Sequence, residues 1–234
     1  MAKPRRPWTV TPHSPIEKLD DNLWAVTSQV PGLPVSRRMC VVKKSTGGLV
    51  FFHAVPLDEK TLAEVLAWGR PEALVVGHDQ HAVDANGFRE KLGVKVYTPK
   101  ESVEKLREKV EVEGPIEALP SDPAIRFESI AGTKKAEPVG IVKSSDRVSL
   151  LFCDVVQNNA PGSGNLFLKV LGFNGPAPKV VPVFKMLFTS DRQALRAQIR
   201  ELSTTRGLSR VVPCHGGVVE SNAGAALRAA ADAV

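Results

Sequence analysis

Three apolar runs in this chain break off into residues that carry chemistry: ALVVGHDQH over 73–81, SLLFCDVV over 149–156 and RVVPCHGG over 210–217. Runs of this length and apolarity are expected to lie as buried strands, which places the polar residues at strand carboxyl ends. In an α/β fold several such ends converge on the crevice where ligands gather. A strand buried on both faces cannot end in histidine and aspartate unless those side chains find partners. If those ends meet, His78, His81, Asp154 and His215 form a cluster of three imidazoles and one carboxylate, a donor set suited to Zn²⁺, Fe²⁺ or Mn²⁺. The other reading of the same residues is a polar strand-to-helix turn at His78 and His81, with Asp154 satisfied by backbone N–H groups or by a structural pair with His215.

The sequence around these runs supports that architecture. NLWAVTSQV, RRMCVVKK and GLVFFHAV, separated by turn-forming residues, read as an antiparallel meander over 22–55. Asp58 is placed to cap a helix over EKTLAEVLAWG, with Leu62, Val65 and Leu66 inward and Gly69 as its stop. A second short helix over VDANGFREKLG and a strand VKVYT follow. Thr98, Pro99 and Glu101 then resemble an N-cap, first-turn proline and capping-box glutamate for KESVEKLREKV. AIRFESIA, PVGIVKSS and RVSLLFCDVV return to strand character. Ser190 with Gln193 is expected to open a helix lined by Leu195, Ile199 and Leu202, and NAGAALRAAADA is the last helix. Residues 1–14 are expected to be a mobile N-terminal segment and 15–234 a single domain. Within it, the Pro/Gly-rich apolar stretch 158–189 reads as an insertion packed over one end of the sheet, and its Leu and Phe content leaves room for a homodimer face.

Composition narrows function less than it narrows fold. The formal charge is +6 over 234 residues, but Lys3, Arg5 and Arg6 supply part of it and stacking aromatics are few, which disfavours nucleic acid as a partner. No apolar stretch reaches the ~20 residues that span a bilayer, and a cytoplasmic location is expected. Cys40, Cys153 and Cys214 lack CxxC spacing and read as reduced core residues. Strand alternation is expected to point Cys153 away from Asp154. His53, in FFHAV, reads as a hydrogen-bonded core histidine, and His13 carries no functional signal. No phosphate-binding glycine motif occurs.

The ordered set NLWAV, RRMCVV, GGLVFFHAVPLD, LVVGHDQHAV, LLFCDVV and VVPCHGG resembles the metallo-β-lactamase superfamily over nearly the whole chain, and within it the β-lactamase-like group DUF4336. The resemblance implies an α/β fold, a four-layer αβ/βα sandwich with a metal site along one edge between the sheets. It also implies a degenerate site. Against the superfamily's His-x-His-x-Asp-His motif, Val76 stands where the first His belongs, His78 at the second, Gln80 where the Asp belongs and His81 at the third. The later lone His would fall between Ser129 and Gly140, where none exists, while Asp154 matches the bridging Asp and His215 the final His. The first metal position then keeps His78 and Asp154, with Glu137 as an auxiliary candidate. The second keeps His81, Asp154 and His215, with Gln80 a neutral substitute. The resemblance thus implies either no metal or a single divalent ion, Zn, Fe or Mn. Two functions follow from it: a metal-free binding module for a small molecule or protein, or a mononuclear hydrolase of a small ester, amide or thioester. A dinuclear hydrolase is disfavoured.

Overall fold

A computed structural model describes residues 6–160, 175 and 177–234 of the chain. The expected meander is formed by β1 (Glu17–Asp20), β2 (Leu23–Gln29), β3 (Ser36–Lys43) and β4 (Gly48–Phe52), each antiparallel to the next. Helix α1 (Glu59–Trp68) carries the chain to β5 (Arg70–Val75), parallel to β4, and α2 (Ala85–Leu92) carries it to β6 (Lys95–Thr98). A short β7 (Gly114–Pro115) completes a seven-stranded sheet in the order β1 to β7. The second sheet has four strands: β8 (Ile125–Ile130), β9 (Glu137–Ser144) and β10 (Arg147–Phe152) in antiparallel array, then β11 (Leu208–Pro213) parallel to β10.

Alternation along the strands divides the core into three layers of apolar contact. One face of the large sheet, with Phe51, Leu74 and Val76, packs against Leu62 and Val65 of α1, Phe88 of α2 and Leu106 of α3 (Val103–Arg107). The opposite face, with Cys40, Val50, Phe52 and Val75, meets Val142, Leu151 and Val212 of the small sheet. The small sheet's outer face, with Leu150 and Phe152, is covered by α4 (Pro182–Leu187), α5 (Arg192–Ser203) and α6 (Ala223–Asp232). Helix, sheet, sheet, helix is the αβ/βα sandwich expected from the sequence.

Local chemistry explains most element ends and corrects several expectations. Asp58 caps α1 by accepting the Thr61 N–H at 2.7 Å. Leu66, however, is exposed, because only Leu62 and Val65 fall on the narrow face that meets the sheet. Thr98 is not a helix cap: it ends β6, and Lys100–Ser102 forms a 3₁₀ turn before α3, which has no side-chain cap. The residue before a proline is biased to extended backbone, which keeps Thr98 in the strand. Asp191, rather than Ser190, caps α5 by accepting the N–H groups of Gln193 and Ala194.

Within the N-terminal stretch, Trp8 stacks on Phe88, Arg6 pairs with the buried Asp84, and His13 accepts the Asp58 N–H. Residues 1–5, and 161–174 and 176 of the expected insertion, lie outside the described residues. Among the described residues no helix is long and apolar enough to cross a membrane. In α4, Phe184 is buried against the small sheet while Met186 and Leu187 are exposed.

Candidate metal centre

Asp154 and His215 leave neighbouring strands, because β10 stops at Phe152 and its parallel partner β11 at Pro213. β5 brings the third polar stretch to the same edge from the other sheet. Gly77 makes that approach feasible: a Cβ there would come within 2.5 Å of the Cys153 sulfur. His78 then caps a 3₁₀ turn over Asp79–His81, its Nδ1 accepting the Gln80 N–H at 3.2 Å. The turn sets the His78 and His81 rings edge to face, with centroids 4.8 Å apart. Asp79 faces elsewhere and pairs with Lys135 at 3.0 Å.

The four candidate residues come together on one carboxylate. Asp154 Oδ2 lies 3.2 Å from His78 Nε2 and 3.0 Å from His81 Nε2, and Oδ1 lies 2.9 Å from His215 Nε2. Glu137 sits behind them, fully buried. Its Oε2 accepts the N–H groups of Asp154 and Val155, both at 2.9 Å, and its Oε1 is 3.7 Å from His78 Nε2. It therefore shapes the loop that presents Asp154. Gln80 is exposed, and Val76 is wholly buried in the apolar layer beneath the helices.

Burial and neighbouring charge set the protonation states. Burial opposes ionisation of Asp154, but the His81 charge and the hydrogen bonds of His215, His78 and His81 outweigh it and hold the carboxyl well below its usual range. Burial also opposes charging His81, yet Cys153 and Asp154 raise it well above the usual histidine value. His215 is likewise pulled down by burial but lifted overall to about 9, by Cys214 and Asp154. Burial dominates at His78 and lowers it. Burial and the Asp154 charge push Glu137 up to about 8. The centre thus pairs a carboxyl held low with two imidazoles pushed up, His81 and His215, and one pushed down, His78.

Two further donors belong to this neighbourhood. The Cys153 sulfur joins His78, His81 and Asp154 in a group whose ligand atoms lie within 4.8 Å of one another. The alternation expectation fails for Cys153 because β10 ends one residue earlier, and period-2 geometry stops with the strand. His53, His81 and Cys214 form a second such group. His53 is buried, but neither ring nitrogen has a hydrogen-bond partner among the described residues, contrary to the expectation of a hydrogen-bonded core histidine. The only sequence signal for these donors was the adjacency of Cys153 and Cys214 to Asp154 and His215. A cavity of about 330 Å³ opens beside them, lined by His81, Asp154 and His215 together with the apolar Leu33, Val35 and Val55.

The donor chemistry fits a metal at three of the four positions. His215 turns Nε2 to the centre while Nδ1 donates to the Ser36 carbonyl at 2.5 Å, the outer-shell bond that fixes a ligating imidazole. His78 is arranged the other way. Because its Nδ1 accepts a backbone N–H, its neutral form carries the proton on Nε2 and donates it to Asp154. His81, Asp154 and His215 are therefore residues that could hold an ion, while His78 is hydrogen-bonded to the carboxylate.

This sandwich, with a polar cluster at one edge between its sheets, has the metallo-β-lactamase fold. The chain is similar to a crystal structure of the DIM-1 metallo-β-lactamase exposed to ceftazidime, with a TM-score of 0.65 at 17% identity over 96% of this chain and 99% of that one. A second DIM-1 structure gives 0.62 at 15%, and a TMB-1 structure 0.61 at 16%, each covering 93% of this chain and 96% of the other. No protein-family model matches the sequence, and no curated protein matches it. At these identities the likeness establishes the fold alone.

Proposed function

We propose that the chain holds one divalent metal ion at His81, Asp154 and His215 and hydrolyses a small ester, amide or thioester in the adjoining cavity. The observation that carries this reading is the convergence of three imidazoles on Asp154 at 2.9–3.2 Å, beside a cavity large enough for a small molecule. Bound there, the ion would supply Lewis acidity and hydroxide at neutral pH. The chain's own residues do the remaining work. Ser36 fixes the His215 ring, His78 and Glu137 hold Asp154 from two sides, and Leu33, Val35 and Val55 offer an apolar wall to a substrate. A dinuclear centre is not part of the proposal, since Val76 lies in the core and the β8–β9 hairpin contributes Glu137, bound to backbone, where a histidine would be needed.

One observation favours a second reading, a binding module without catalysis. Asp154 already has each of the three imidazoles within hydrogen-bond distance, a set of polar contacts that needs no ion to complete it. Metal analysis of untagged protein separates the two. About one equivalent of Zn, Fe or Mn per chain, lost in His215→Ala, together with turnover of model esters or thioesters, is expected for the hydrolase. Protein that takes up no added metal at these residues makes the cavity a binding site alone.

A further inference from the structure

His53 has no explained role in the centre described above. It follows the last residue of β4 with φ +65°, the left-handed region that non-glycine residues seldom occupy, and its peptide N–H is tied to the Val75 carbonyl at 2.9 Å. Its ring is 4% exposed, so two buried ring nitrogens go without hydrogen bonds among the described residues, a costly state for an imidazole. Strained backbone and an orphaned polar ring together mark a residue held in place for something.

The ring lies against His81, with centroids 4.6 Å apart, and a ligand atom of each lies within 4.8 Å of the other and of the Cys214 sulfur. All three residues line the same cavity, whereas Cys153 and His78 do not. The Cys214 sulfur already faces His81, its hydrogen-bond partner, and its other contact is weak, a 3.6 Å bond to the Arg38 carbonyl. Ligands on a tetrahedral zinc-like ion at ~2.1–2.3 Å stand roughly 3.5 Å apart, so a group already within 4.8 Å needs to close by about 1 Å.

We propose that His53, His81 and Cys214 form a thiolate-bearing seat for a thiophilic divalent cation of the zinc and cadmium class, reached through the cavity. This seat is separate from the one at Asp154 and His215 and does not rest on hydrolase activity, but it shares His81, so one ion excludes the other. Thiolate and imidazole select soft and borderline ions, whereas the carboxylate-containing set suits Mn²⁺ and Fe²⁺ as well. On binding, the Cys214 thiol proton and the proton on the His81 nitrogen that meets the ion leave through the cavity to solvent, and the freed sulfur and imidazole nitrogens bond the ion, with no change of oxidation state.

The test is titration of the untagged protein with Cd²⁺ and Co²⁺, followed through sulfur-to-metal charge-transfer absorption. One equivalent with a sulfur band is expected, lost in Cys214→Ser and in Cys214→Ala, and retained in Cys153→Ser. Asp154→Asn should keep the band while abolishing the hydrolytic seat, so the two readings can fail separately. His53→Ala should keep the band but weaken Cd²⁺ binding at least ~10-fold, since loss of even an outer-shell partner costs ~10–100-fold. A wild-type protein without the band, a band surviving in both Cys214 variants, one lost with Cys153 instead, or unchanged affinity in His53→Ala overturns the proposal.

Discussion

Removing the Glu137 carboxyl tests whether this buried side chain builds the loop that presents Asp154. Its Oε2 accepts two backbone N–H groups at 2.9 Å, from Asp154 and Val155, and the residue is 1% exposed. In Glu137→Ala both bonds disappear. A net hydrogen bond is worth ~1 kcal/mol, and an unsatisfied buried donor costs ~1–3 kcal/mol, so the variant should lose about 2–5 kcal/mol. For a chain of this length each kcal/mol moves Tm by ~2–4 °C, which gives a drop of roughly 4–20 °C. Glu137→Gln keeps a carbonyl oxygen in the same place and accepts both N–H groups. Burial already pushes the acid up to about 8, so the site tolerates a neutral group and the cost should stay near ~1 kcal/mol. Urea denaturation of the three proteins at one pH, read by fluorescence, measures both differences. If the alanine variant unfolds within ~1 kcal/mol of wild type, or the glutamine variant is as unstable as alanine, the carboxyl is not the anchor argued here.

Three other outcomes are expected. Gly132→Ala should lower Tm markedly, because φ is +76° there, costing ~1–2 kcal/mol for an L-residue, and a Cβ would come within 2.1 Å of the Asp191 carbonyl oxygen; an unchanged melting curve would contradict the close packing of the β8–β9 turn on α5. Asp122 is held below the usual carboxylate range although burial opposes it, by the Ala124 and Ser45 N–H groups and the Ser45 hydroxyl. A depressed folded pKa adds stability above the unfolded value and loses it as pH falls, so Asp122→Asn should cost stability at pH 7 and converge with wild type in acid; parallel stability curves from neutral to acid pH would rule this out. Val76→His should destabilise by ~2–4 kcal/mol without raising metal content, since the new imidazole would enter the apolar layer against the helices; a second equivalent of metal on elemental analysis would refute the assignment of that face.

Much of this fold was legible because its strands are pure in period. GLVFF, ALVV and SLLF are apolar on both faces, as strands lying between a helix layer and a second sheet must be, while the four-layer sandwich itself was implied by the family resemblance. The meeting of His78, His81, Asp154 and His215 was legible for the same reason, since each follows a strand end. What the pattern concealed lay where periodicity stops. The departure of β10 from extended geometry after Phe152 turned Cys153 into the cluster, and no alternation rule reaches past that point. His53 looked like core because its neighbours are apolar, but a positive φ is invisible in sequence. Glu137, at the start of β9, bonds backbone amides 17 and 18 residues away, contacts that depend on register rather than residue type.

The register of β5 explains why Val76 stands away from the polar cluster at this edge. Consecutive residues of a strand face opposite layers, and Val75 points into the layer between the sheets while Val76 belongs to the layer under α1 and α2. A histidine at 76 would follow that outward direction, away from Asp154. Gly77 then breaks the extended path, and its lack of a side chain lets Cys153 close on the turn. His78 is the first residue able to face inward, and its Nδ1 is spent capping the 3₁₀ turn that swings His81 into place. The local chain therefore trades one imidazole as a ligand for the positioning of another. That exchange leaves His81 as the pivot, within reach of Asp154 on one side and of His53 and Cys214 on the other. Under the two proposals above, which ion the centre would take is decided by which of those two neighbours engages it.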